Sequence, residues 1–137
     1  MTIVIDASVT LSWLLEDEAA DASAALLRSL LDRTLLVPAI WSFEVPNVML
    51  QAEKRGRITV DAARERLALL SVLEIVTADP PKIETFDALI ALGRETRLSA
   101  YDAAYLDLAL REGAPLASLD ARLREAAAER GVEVWPE

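Results

Sequence analysis

Short apolar runs alternate with longer segments of helical periodicity along the whole chain, and this alternation limits the fold more than any other feature. Ile3-Val4-Ile5 is β-branched and suits a strand buried on both faces. Val9 to Leu15 reads as a short helix. Glu16, Asp17 and Glu18 open a longer one, from about Ala19 to Leu31, with Leu26, Leu27, Leu30 and Leu31 at helical spacing. Thr34 to Val37 is a second strand, stopped by Pro38. Trp41 to Arg55 reads as a helix ended by Gly56, although Pro46 lacks an N–H to donate, so the regular helix is allowed to begin only near that residue. Thr59 caps a helix from Val60 to about Val72, and Leu73 to Val76 is a weaker strand. Asp79-Pro80-Pro81 opens a helix to about Glu95. Ser99 caps another from Ala100 to Arg111, ended by Gly113. Pro115 to Ser118 is a short strand, Asp120 opens a helix to Arg130, and Val132 to Trp135 is the last strand. Strands and helices in this order predict a three-layer α/β/α domain around a mainly parallel sheet of about five short strands. The 137 residues read as one domain, 1–137, able to bury its own core.

Histidine and cysteine are both absent. That excludes a Ser-His-Asp triad, a cysteine nucleophile, thiolate or imidazole zinc, and a disulfide framework. Acid–base or metal chemistry must rest on carboxylates, Lys, Tyr or hydroxyls. The net charge of −9 argues against sequence-independent nucleic-acid binding through a basic surface. It fits an acidic pocket for a hard cation, a basic protein partner, or plain solubility. No apolar run approaches the roughly 18 residues of a membrane span, and the N-terminus has no basic leader, so a cytoplasmic location is expected.

Four acidic residues stand where a parallel sheet would gather them. Ligands of open α/β sheets bind beyond the carboxyl ends of the strands. Asp6 directly follows the first strand, Asp120 follows the Leu116–Ser118 strand by two residues, and Glu44 lies early in the segment after the second strand. Asp102, in the first turn of its helix, joins them if that helix starts at the same edge. Each also has a plainer reading. Asp6 and Asp120 suit N-caps, Asp102 with Ser99 resembles a capping box, and Glu44 complements a helix dipole. The functional signal is their conjunction. Clustered carboxylates repel, and a divalent cation relieves the repulsion. Mg²⁺ and Mn²⁺ take oxygen ligands, and the chemistry suited to such a site is phosphodiester hydrolysis.

The four segments also resemble the acidic motifs of PIN-domain nucleases. Ile3-Val4-Ile5-Asp6-Ala7-Ser8-Val9 resembles their opening strand, and Trp41 to Val48 resembles the second motif. Ser99-Ala100-Tyr101-Asp102-Ala103-Ala104-Tyr105-Leu106 is very similar to the third, and Leu116 to Leu123 is similar to the fourth. Within that family the chain looks most like the VapC-type toxins of bacterial toxin–antitoxin pairs. The resemblance implies an Mg²⁺- or Mn²⁺-dependent endoribonuclease. It implies Asp6 and Asp102 as principal metal ligands, Asp120 close behind, and Glu44 either ligating the ion or orienting the attacking water. Ser8, Asn47 and Ser118 would take supporting roles. It further implies a homodimer, an RNA substrate and a VapB-type antitoxin. A metal-dependent phosphatase or DNA nuclease, and an inactive interaction module, are the competing expectations. A receiver-like phosphate acceptor is disfavoured because the last lysine is Lys82. Lys54, Arg55 and Arg57, like Arg94 and Arg97, read as solvated helix ends that could also meet phosphates. Asp107 reads as surface, and Tyr101 and Tyr105 as core or dimer-interface residues.

Overall fold

A computed structural model describes residues 1–15 and 20–137. The acidic opening expected at Glu16 to Glu18, and Ala19 after it, lie outside the described residues. Among the described residues five strands and seven helices follow one another: β1 (Thr2–Ile5), α1 (Ala7–Leu14), α2 (Ala20–Leu30), β2 (Thr34–Val37), α3 (Trp41–Lys54), α4 (Val60–Leu69), β3 (Glu74–Thr77), α5 (Ile83–Thr96), α6 (Ala100–Glu112), β4 (Leu116–Ala117), α7 (Ala121–Glu129) and β5 (Val134–Trp135). A 3-10 turn, Leu70–Val72, follows α4 where a continuous helix is expected from the sequence. All pairings are parallel, in the order β3-β2-β1-β4-β5.

Successive strand residues point to opposite faces, and the core divides accordingly. Val4 and Leu116 face a layer built from α5, α6 and α7, including Leu92, Leu106 and Leu123. Ile3, Ile5, Leu35, Val37 and Ala117 face Val9 of α1 and Leu26 and Leu30 of α2. A third cluster joins Leu14 to Val45 and Met49 of α3 and Ala63 of α4. Trp41 packs against all three clusters, which fixes the first turn of α3 against the rest of the molecule.

Pro46 lies inside α3 and does not delay its start. A proline there leaves the Ser42 carbonyl without its helical donor. Ser42 is exposed, so water can take the donor's place. The chain enters α3 through tight backbone turns, with the N–H of Trp41 donating to the Pro38 carbonyl and that of Glu44 to the Ile40 carbonyl. Gly113 ends α6 at φ 60, a left-handed conformation that residues with a Cβ rarely adopt.

Candidate active site

Because every strand is parallel, the carboxyl ends of β1, β2 and β4 share one edge. A helix leading into a parallel strand runs back against it, so the first turn of α6 returns to that same edge. The topology thereby brings Asp6, Glu44, Asp102 and Asp120 to one rim.

Asp6 is the best-anchored of the four. It is 4% exposed, although it follows the sheet's central strand directly. Its Oδ1 accepts from the Val9 N–H at 3.0 Å, capping α1, and from the Ser8 hydroxyl at 2.6 Å. Its Oδ2 accepts from the Ser118 hydroxyl, 112 positions along the chain, also at 2.6 Å. The two serines are themselves held by the loop after β4. Ser8 Oγ accepts from the Leu119 N–H at 2.9 Å, and Ser118 Oγ accepts from the Asp120 N–H at 3.0 Å. Both Asp6 oxygens are thus tied through hydroxyls to the segment that carries Asp120. Arg124 steadies that segment from α7, donating to the carbonyls of Ser118, Trp135 and Pro136. From behind, Thr10 Oγ1 donates to the Asp6 carbonyl and accepts from the Trp41 indole N–H at 2.9 Å.

Glu44 and Asp102 are half-buried, and Asp120 is exposed at the rim. Glu44 Oε1 accepts from the Tyr105 hydroxyl at 2.6 Å. Asp120 Oδ1 caps α7 by accepting from the Leu123 N–H. The Ser99 hydroxyl caps α6 by accepting from the Asp102 N–H. The helix-capping roles of Asp6, Asp120 and Ser99 are therefore real. They coexist with the cluster because the Asp6 and Asp120 caps each use one carboxylate oxygen, and the Ser99 cap engages the Asp102 N–H and not its carboxylate. Asn47 lies one turn beyond Glu44 and is exposed. Among the described hydrogen bonds none ties it to the rim.

The electrostatics join all four residues. Burial pushes the Asp6 carboxyl above the ordinary aspartate value, against the hydrogen bonds from Ser118, Ser8 and Val9, and the charge of Asp120 adds to the rise. Burial also raises Glu44; the Tyr105 hydroxyl opposes the rise, while Asp102 and Asp6 add to it. Asp102 is raised by burial and by Asp120. The repulsions run Asp6 to Glu44, Glu44 to Asp102, Asp102 to Asp120 and Asp120 to Asp6, a closed circuit of like charges. Among the described residues no three acidic side chains are drawn together at the spacing of a ready-made ligand set. Mg²⁺ does not need one, since it keeps several waters and takes one or two carboxylates directly. Asp6 Oδ2, with one described donor for two acceptor directions, and Glu44 Oε2, with none, retain acceptor capacity for such an ion.

A cavity of about 870 Å³ opens beside the carboxylates, not over them. It lies between the ends of β2 and β3, α5 and the length of α6, lined by Pro38, Ile40, Ala78, Tyr101 and Arg111. Of the two tyrosines, Tyr101 is exposed and Tyr105 is buried. Asp107 is half-buried and paired with Arg111 at 2.8 Å. Thr10, Tyr105 and Arg124 are the contacts to the rim that sequence reasoning does not assign. For Tyr105 a signal exists: it follows Asp102 by three residues and so shares its helix face.

The sequence profile of the PIN domain matches residues 3–129. The chain belongs to the PIN-domain family. PIN domains are generally nucleases. Solved structures share the fold. PAE2754 from Pyrobaculum aerophilum is 21% identical with a TM-score of 0.69, over 98% of this chain and 83% of its own. VapBC2 from Rickettsia felis, solved bound to a DNA fragment from their promoter, is 14% identical with a TM-score of 0.69, over 98% and 97%. FitAcB from Neisseria gonorrhoeae is 20% identical with a TM-score of 0.66, over 98% and 96%. No protein of curated function matches the sequence. At these identities the structures speak for the shared PIN fold. No helix among the described residues is long and apolar enough to cross a membrane.

Proposed function

We propose that this PIN domain, residues 1–137 as a single unit, is a divalent-metal-dependent endoribonuclease and the toxin of a toxin–antitoxin pair. The observation that carries the reading is the closed circuit of four mutually repelling carboxylates at one rim, with Asp6 buried among them. Holding uncompensated carboxylates together costs stability, and a bound cation offsets that cost. Asp6, Asp102 and Asp120 would hold the ion, and Glu44 would hold it or orient the attacking water. Mg²⁺ or Mn²⁺ bound there supplies a more acidic water and neutralises charge developing on a phosphodiester. It also lets an acidic protein accept an anionic RNA. The Ser8 and Ser118 hydroxyls favour the ionised form of the Asp6 carboxyl, against its burial, and aim it.

The likeness to VapBC2 and FitAcB supports an antitoxin partner of VapB type, and an acidic surface suits a basic partner segment. A homodimer working in the cytoplasm completes the proposal. The test is cleavage of RNA with Mg²⁺ or Mn²⁺, wild type against Asp6→Ala and Asp102→Ala. Cleavage that needs the ion and is lost in both variants is the expected result. Metal-dependent cleavage surviving both substitutions would remove the site assignment.

A further inference from the structure

We infer that Tyr105 is a positioning residue of the acidic rim, its hydroxyl fixing the Glu44 carboxylate relative to Asp6. The inference rests on the metal-dependent reading of that rim. Tyr105 is 1% exposed, on the face of α6 that also carries Asp102. Its hydroxyl donates to Glu44 Oε1 at 2.6 Å, and the Ala7 backbone N–H is directed at the phenol oxygen itself. One buried oxygen therefore joins α6, α3 and the start of α1, the three elements that bring Asp102, Glu44 and Asp6 to the rim.

A tyrosine serving only as core filler has no use for its hydroxyl at this depth, because a buried hydroxyl needs a partner and phenylalanine does not. Its partner here is a carboxylate that Asp6 and Asp102 both repel. Among the described residues no other hydrogen bond reaches the Glu44 side chain. Glutamate has three rotatable side-chain bonds, and repulsion alone would turn this carboxylate outward. The phenol holds Oε1 and leaves Oε2 without a described donor, able to accept. Burial first, and the Glu44 contact second, raise the Tyr105 hydroxyl above the ordinary tyrosine value, so it remains a donor at any working pH.

Mn²⁺ binding by the metal-stripped full chain, read by electron paramagnetic resonance of the free ion, tests this without an activity assay. The set is wild type, Tyr105→Phe, Glu44→Ala and the double variant, with urea midpoints taken in chelator on the same samples. Partners that orient a metal ligand are worth about 10- to 100-fold in affinity. Tyr105→Phe is expected to weaken Mn²⁺ binding at least tenfold, and to add nothing once Glu44 is alanine. Binding within twofold of wild type, or the same fold-loss with and without Glu44, would overturn the inference. The wild-type protein gives an independent reading should Tyr105→Phe not fold. The ¹³Cζ resonance of Tyr105 should move on Mg²⁺ saturation, and a fixed resonance would overturn the proposal equally. Tight wild-type binding that Asp6→Ala abolishes and Tyr105→Phe leaves intact would remove the positioning role alone. No wild-type binding at all would remove the metal-dependent reading with it.

Discussion

Replacing Ser118 with alanine removes one hydroxyl from a site with no solvent to replace it. Ser118 is fully buried, and its Oγ is the described donor to Asp6 Oδ2. A hydrogen bond to a charged group contributes about 1.5–3 kcal/mol when its loss leaves the partner buried and unpaired. At 137 residues, an unfolding entropy of about 2.1 cal/mol/K per residue makes each kcal/mol worth about 3.5 °C. Ser118→Ala should therefore lower the melting temperature by roughly 5–10 °C at pH 8 in the presence of chelator. The effect should depend on pH with a definite sign. The Asp6 carboxyl is already raised in the folded protein, so its favourable contribution is complete below the unfolded value and fades as pH rises through the folded one. Losing the Ser118 donor raises the folded value further, so the deficit opens as pH rises and narrows toward pH 4. Ser8→Ala should cost less. Ser8 is only half-buried, and Asp6 Oδ1 keeps the Val9 N–H. Thermal melts of the three proteins at pH 4 and pH 8, in chelator, measure all of this. A Ser118→Ala deficit equal at both pH values would refute the account of Asp6 as an ionised carboxylate held by this hydroxyl.

Asp102→Asn removes a charge that burial and Asp120 disfavour. Without divalent ions it should melt above wild type at pH 8, with the gap closing as the pH is lowered toward 4. In scanning calorimetry of wild type, Mn²⁺ at about 100 times its dissociation constant should add about 2.7 kcal/mol of stability, and the rise should shrink in Asp102→Asn. An equal rise in both proteins would place the ion elsewhere. Thr10→Val leaves the Trp41 indole N–H without its acceptor and the Asp6 carbonyl without the Thr10 hydroxyl. A loss of about 1–3 kcal/mol in urea is expected. A neutral result would show that the Trp41–Thr10–Asp6 chain does not fasten α3 to α1.

Features set by neighbours in sequence were legible in the sequence. Ser99 and Thr59 stand just before helical periodicity and cap α6 and α4 through their hydroxyls. Asp6 and Asp120 are polar residues placed just after apolar strands, where parallel pairing puts them at one edge. Edge strand β3 was fainter because most of its residues remain exposed, which weakens the apolar signal. Pro46 left two readings of α3 open, since a proline's cost depends on whether solvent reaches the carbonyl it strands. Contacts between distant residues did not show. Tyr105 meets Glu44 across 61 positions, and Ser118 meets Asp6 across 112. Only the packed fold decides that Tyr105 turns inward and Tyr101 outward.

The pairing of β1 with β4 has a consequence for how the protein is made. Asp6 is synthesised 112 residues before the hydroxyl that completes its surroundings. An elongating chain carries Asp6 and Glu44 long before Ser118 and Asp120 exist to close the rim. The rim is therefore open until β4 has been made, and a chain cut short before β4 never closes it.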